Sequence, residues 1–168
     1  MRKEELLEAA LRVYLRNPKA TVHEVAEEAG ISKSTIFYYF KNKNGLEREL
    51  LLYTIKKFSP WNESGLENAI KKRFEIMKNT PGLARMIYTL LDNLSKTDPK
   101  FIDELRSKSF ERIAKLLEKE GYENSKDLAI LLLAFLDGLA MYSIYMDIDY
   151  SKYEDLVLKA FRRLKNEL

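Results

Sequence analysis

Apolar residues recur at spacings of three and four along nearly the whole chain, and no run of any length alternates with period two. The pattern predicts an all-α protein. Leu6, Leu7, Ala10, Leu11 and Tyr14 mark a first amphipathic helix, and Val22, Val25, Ala26 and Ala29 mark a short second one. Ile36 and Phe40 fall four apart on a third, and Leu46, Leu50, Leu51 and Ile55 continue into a connecting helix of about fifteen residues. Ser59, Pro60 and Gly65 interrupt the pattern. Punctuation by proline, glycine and capping residues then predicts helices over 65–79, 82–94, 99–119, 125–147 and 151–167, with Ser125 and Ser151 as caps and Glu154 completing a capping box.

The second and third helices carry sharp local signals. Thr21 caps the second, and Glu24, three residues on, reaches back to its amide. Gly30 follows the last apolar position, where a left-handed residue ends a helix at least strain, and Ile31 plugs the gap between the two helices. Ser32 caps the third helix. With Ile36 and Phe40 turned inward, Ser34, Thr35, Tyr38 and Tyr39 face the other way. Helix, tight turn, helix, with hydroxyls, lysines and tyrosines on the second helix, is the layout of a reader of duplex DNA. Side chains at the start of such a helix reach base edges, which selects Lys33, Ser34 and Thr35, while surrounding donors hold phosphates.

Charge sharpens this picture. The net charge of +3 is confined to the N-terminal third: residues 1–58 hold eleven Lys and Arg against eight acids, and the rest holds eighteen of each. Within residues 29–46 stand Lys33, Lys41 and Lys43 and no carboxylate, as a phosphate-facing surface requires.

Thr21, Val22, Val25, Ala26, Ala29, Gly30, Ile31, Ser32, Thr35, Ile36, Tyr39, Phe40, Lys43 and Leu46 together resemble the TetR family of transcriptional regulators, over roughly the first fifty residues. The resemblance implies a three-helix DNA-binding domain at 1–46 and a helical effector-binding and dimerisation domain at 47–168. It also implies that Lys33, Thr35 and Tyr38 touch bases and that Tyr39 and Lys43 clamp phosphates, with Lys43 opening the next helix. Thr21 and His23 complete the DNA-facing set, His23 with at most a phosphate contact. The chain departs from the family at Ser34, where many members have glycine, and at Phe37, where most have tyrosine. Phe37 brings no hydroxyl to a phosphate, a loss that weakens all sequences alike.

Leu128 to Met146 is almost wholly apolar and approaches the length of a membrane span, but Asp137 near its centre would cost a few kcal/mol in a bilayer. A helix apolar all round in so small a chain calls for a partner subunit. The Leu136-Asp137-Gly138-Leu139 step resembles the penultimate helix of the same family, whose last two helices pair with their copies. A homodimer is expected, presenting two motifs to a near-palindrome with half-sites about one helical turn (~34 Å) or a multiple apart.

The middle of the chain supplies Phe74, Met77, Met86, Tyr88, Phe110, Phe135, Met141 and Tyr142, with Asp92 and Asp137 as polar groups. The family resemblance implies a small-molecule pocket among them, for an apolar or aromatic effector that releases a repressor from its operator. Each of these residues also serves as ordinary core, and each aspartate as a cap or ion-pair partner. An architectural or recruiting DNA-binding protein of the same fold, with no effector, is the alternative.

The one histidine and the absence of cysteine leave no metal-ligand set, nucleophile-base pairing or disulfide, and no glycine-rich phosphate loop is present. No enzymatic activity and no cofactor are expected. The N-terminus has acids in its first turn and no long apolar run, which fits a cytoplasmic protein without a signal peptide.

Overall fold

The computed structural model describes residues 2–62 and 65–167. Among them are nine α-helices, α1 (Lys3–Arg16), α2 (Val22–Ala29), α3 (Lys33–Phe40), α4 (Lys43–Lys57), α5 (Leu66–Asn79), α6 (Leu83–Thr97), α7 (Pro99–Lys119), α8 (Ser125–Tyr142) and α9 (Tyr150–Glu167), with a single 3-10 turn at Pro60–Asn62 and no strand. The all-α expectation holds. No helix among the described residues is long and apolar enough to cross a membrane.

Two compact units form, each from separated stretches of sequence. The first joins the chain up to Phe58 with Pro81–Ile102, and the second joins Ser59–Thr80 with Asp103 onward. In the first, α1 packs on α2, α4 and α6, and α3 packs on α2 and α4. Leu6, Tyr14, Ile36, Leu46, Leu50, Leu51, Met86, Leu90 and Leu94 are the largest of its fully buried side chains. A leucine or methionine so enclosed contributes roughly 1.5–3 kcal/mol over its exposed state.

At the centre of this apolar unit lies a charge. Glu47 is 3% exposed, and every partner it has there is a donor: the Tyr14 hydroxyl of α1 at 3.2 Å, the Asn93 amide of α6, and the Lys43 ammonium one turn back on α4 at 3.5 Å. Burial and the neighbouring carboxylate push the Tyr14 hydroxyl well above the usual phenol range, so it stays a donor. Tyr53 and Lys57 at the far end of α4 both donate to Glu8 of α1, which fastens the two helices at a second point.

The second unit is built on Leu66, Ile70 and Phe74 of α5, Ile113 and Leu117 of α7, Leu128, Leu132, Leu136 and Leu139 of α8, and Val157 and Phe161 of α9. Tyr122 is buried among them, and its hydroxyl donates to the Phe161 carbonyl at 3.2 Å. Asp137 of α8 pairs with Arg73 of α5 at 3.1 Å. Crowding by apolar neighbours raises its carboxyl above the usual range, with Arg73 pulling the other way.

Several helix ends differ from the sequence expectation. α6 runs to Thr97 and α8 stops at Tyr142, where the Ser143 hydroxyl donates to the Ala140 carbonyl and successive short-range bonds at 144–146 turn the chain. α9 begins at Tyr150, and Asp149, not Ser151, accepts the helix-start amide, that of Lys152, at 3.2 Å. Ser125 lies inside the first turn of α8, and the residue before it, Asn124, is left-handed with φ +53°. In α9 an aspartate two positions upstream takes the role given to Ser151, whereas no side-chain bond caps the start of α8.

Replacing Glu47 by Leu removes the acceptor of three donors at once, so unfolding in denaturant should show a loss of about 3 kcal/mol. An unchanged midpoint would contradict the central role of this carboxylate. Glu8, Glu24 and Glu28 provide a pH test. Hydrogen bonds hold Glu8 (first from Lys57), Glu24 (first from the Thr21 amide) and Glu28 (first from Arg12) below the ordinary value of 4.5. As pH falls the unfolded chain protonates first, so their contribution is complete above that value and disappears below it. The melting temperature should therefore drop as pH is lowered through and below 4.5, and less steeply in about 0.5 M salt.

Candidate DNA-binding face

The helix-turn-helix forms as its local signals direct. The Thr21 amide donates to Glu24 at 2.7 Å and the Glu24 amide donates to the Thr21 hydroxyl at 3.3 Å, the reciprocal capping box. Asn17 adds a bond to the same carboxylate at 3.0 Å. Gly30 closes α2 at φ +66°, and the Ile31 amide returns to the Ala26 carbonyl at 3.0 Å. Glu28 on the last turn of α2 receives Arg12 at 2.8 Å and Arg16 at 2.5 Å, both from α1. The support behind α3 is thus fixed by apolar contacts and by two guanidinium bonds.

α3 starts at a hydroxyl cluster. Ser32 Oγ accepts the Thr35 amide at 3.2 Å and lies 2.7 Å from Ser34 Oγ and 3.0 Å from Thr35 Oγ1. Lys33 and Ser34 are exposed, Thr35 is half-buried, and Ile36 and Phe40 are in the core. Tyr38 is 83% exposed and meets Tyr39 edge-on at 5.4 Å between ring centres. Tyr39 is partly buried and tilts against Phe40, so it presents less of itself than Tyr38 does. An exposed ring at this place offers an apolar contact and a hydroxyl together.

The turn after α3 is tight. Lys41 is left with φ +67° and Asn42 caps α4 by accepting the Gly45 amide at 2.8 Å. A side chain at Gly45 would meet the Phe40 carbonyl at 2.0 Å, so only glycine allows α4 to begin so close beneath α3. Lys43 opens α4, as expected, and its Nζ is directed to Glu47. Lys33 and Lys41 have no acidic partner among the described residues, whereas the exposed Lys3, Arg48 and Lys57 each have one. Thr21 and His23 are exposed at the start of α2, and His23 lies 3.2 Å from Glu27.

The structure therefore brings Lys33, Ser34, Thr35 and Tyr38 to one surface of one short helix, with Lys43 at its far end. The expectation did not include Glu47, which fixes Lys43 from below. The spacing of four between them was a legible signal.

The residues expected around an effector are divided between the two units. Met86, Tyr88 and Asp92 belong to the first unit and the others to the second. Phe74 and Met86 are core, Met77 and Phe110 pack against the core of the second unit, and Asp92 pairs with Lys96 at 2.7 Å. Phe135 and Tyr142 line an apolar hollow of about 430 Å³ beside α8, with Met146, Ile148 and Tyr153. Met141 is exposed on the same helix.

The sequence profile of the bacterial regulatory proteins, tetR family, matches residues 6–50. The HTH-type transcriptional regulator LuxR of Vibrio harveyi is 28% identical over 88 residues, a match that spans 51% of this chain and 43% of that protein. Solved structures share the fold along nearly the whole length. The fatty acid degradation regulator FadR from Bacillus halodurans aligns with a TM-score of 0.69 at 20% identity, covering 96% of this chain and 93% of its own. The multidrug binding protein EbrR, complexed with imidazole, aligns at 0.70 and 20%, covering 97% and 89%. A TetR-like transcriptional regulator from a Rhodococcus species aligns at 0.66 and 20%, covering 92% and 90%. The family match thus falls on residues 6–50, the stretch that carries the capping box and the hydroxyl-rich α3, and the chain shares its all-helical fold with these solved structures.

Proposed function

We propose that the protein is a homodimeric, sequence-specific repressor that an apolar or aromatic small molecule releases from its operator. The DNA-reading residues lie within 1–46, and those serving self-association and effector binding lie within 47–168. The observation that carries the dimer is the outer face of α8 and α9. Ile130, Leu131, Phe135, Met141, Tyr142 and Leu156 are exposed there, Leu131 at 61% and Tyr142 at 63%. Exposed apolar side chains of this size on the last two helices are best covered by a second copy.

Two copies present two α3 helices, and a near-palindromic site follows from the two-fold axis. Lys33, Ser34, Thr35 and Tyr38 read base edges, while Tyr39, Lys43, Thr21 and His23 contact the backbone. An effector acts by differential affinity: a ligand that prefers a separation of the two α3 helices unsuited to the site lowers DNA affinity by the ratio of its affinities for the two arrangements. The apolar ligand class is supported by the aromatic and methionine side chains of the second unit, and by the multidrug binding and fatty acid degradation roles that title two structural neighbours.

Sedimentation should show a dimer at about 10 µM, and Leu131→Glu with Phe135→Glu a monomer that binds its operator at least about tenfold more weakly. A wild-type monomer would remove the dimeric reading. After enrichment of preferred duplexes from a random pool, Lys33→Ala and Thr35→Val should shift the preference between enriched and scrambled duplexes, whereas Lys43→Ala should weaken both alike and flatten the salt dependence. Equal losses on all duplexes from all three would contradict the division into base readers and phosphate clamps.

A further inference from the structure

Between α3 and α4 the Asn42 amide donates to the Phe40 carbonyl at 2.8 Å across a single residue, Lys41, whose φ is +67° and ψ −50°. That is a γ-turn of the positive-φ hand, a rare and strained conformation for a residue with a side chain. The other positive-φ positions among the described residues are occupied by four glycines and by Asn124, and asparagine tolerates that region far better than lysine. The turn is packed closely on the start of α4, since the same Phe40 carbonyl lies where a Gly45 side chain would be.

Glycine would hold this turn with less strain, so the backbone gains nothing from a lysine here. What the lysine supplies is its exposed ammonium, which lacks an acidic partner among the described residues and stands in a stretch, 29–46, without a carboxylate. Lys43, two positions on, has its ammonium engaged by Glu47. At this end of α3 the uncompensated positive charge is therefore that of Lys41.

We propose that Lys41 is a phosphate-contacting residue, presented to the DNA backbone at the apex of a strained turn, and that the fold gives up stability to keep it there. Strain held at a binding surface has this form in general. The proposal rests on the reading of the outer side of α3 as the DNA-facing side, and its test separates the two.

Lys41→Gly, Lys41→Arg and Lys33→Ala in the full chain would be compared by thermal melting and by fluorescence anisotropy on a mixed-sequence duplex of about 30 base pairs over a range of salt. Lys41→Gly should melt a few degrees higher, bind roughly five- to tenfold more weakly at low salt, and show a log–log salt slope smaller by about 0.9 per reading head. Lys41→Arg should match the wild type in all three. A glycine variant that binds like the wild type, or that melts lower, overturns the proposal. If Lys33→Ala weakens binding while Lys41→Gly does not, the DNA-facing reading stands and Lys41 has no part in it. If the wild type shows no salt-dependent binding, the reading itself falls and the proposal with it.

Discussion

A single buried carboxylate sets the geometry of the first compact unit. Glu47 sits on α4 among leucines, where an unpaired charge would be intolerable, so the chain must deliver donors to it from elsewhere. Tyr14 comes from α1, Asn93 from α6 and Lys43 from the preceding turn of α4. Apolar contacts alone permit small rotations of one helix against another. A hydrogen-bonded charge does not, because its partners lose their bonds when the helix turns. The position at which α4 begins, and hence the tight passage from α3 through Lys41, Asn42 and Gly45, is tied to that requirement.

The reading surface was legible in the sequence to the extent that its determinants are local. A capping box spans three residues, a left-handed glycine follows directly on the helix it ends, and Ile36 and Phe40 define by their own spacing which side of α3 turns inward. Each was readable from a handful of neighbouring letters, and each formed. Glu47 was different. Its partners Tyr14 and Asn93 are 33 and 46 residues away in the chain, and nothing near any of the three announces the others. The same limit explains α6. The residues of that helix were grouped with the effector region because they follow it in order, yet Leu83, Met86, Leu90 and Leu94 belong to the compact unit that holds the helix-turn-helix. Two smaller differences are local: Asp149 competes with Ser151 for the start of α9, and short-range bonds at 143–146 end α8 at Tyr142 before its apolar run is finished.

α8 illustrates how one apolar helix serves two demands. Leu128, Leu132, Leu136 and Leu139 point into the second unit, while Ile130, Leu131, Phe135 and Tyr142 point out of it. Asp137, midway along, is neutralised by Arg73 rather than left to solvent alone. The hydropathy of this segment resembles that of a membrane span only because both of its sides are greasy, each for its own reason.

The discontinuous make-up of the first unit bears on how such a protein can be divided. A fragment ending at Phe58 would contain the whole helix-turn-helix and the letters that match the family profile, yet it would lack the α6 leucines that cover α1 and α4, and Glu47 would lose Asn93. The reading head is therefore not a cassette. Grafting it onto another regulator means carrying a helix that the genetic order places some twenty-five codons downstream, and evolution by simple exchange of N-terminal gene segments would meet the same obstacle.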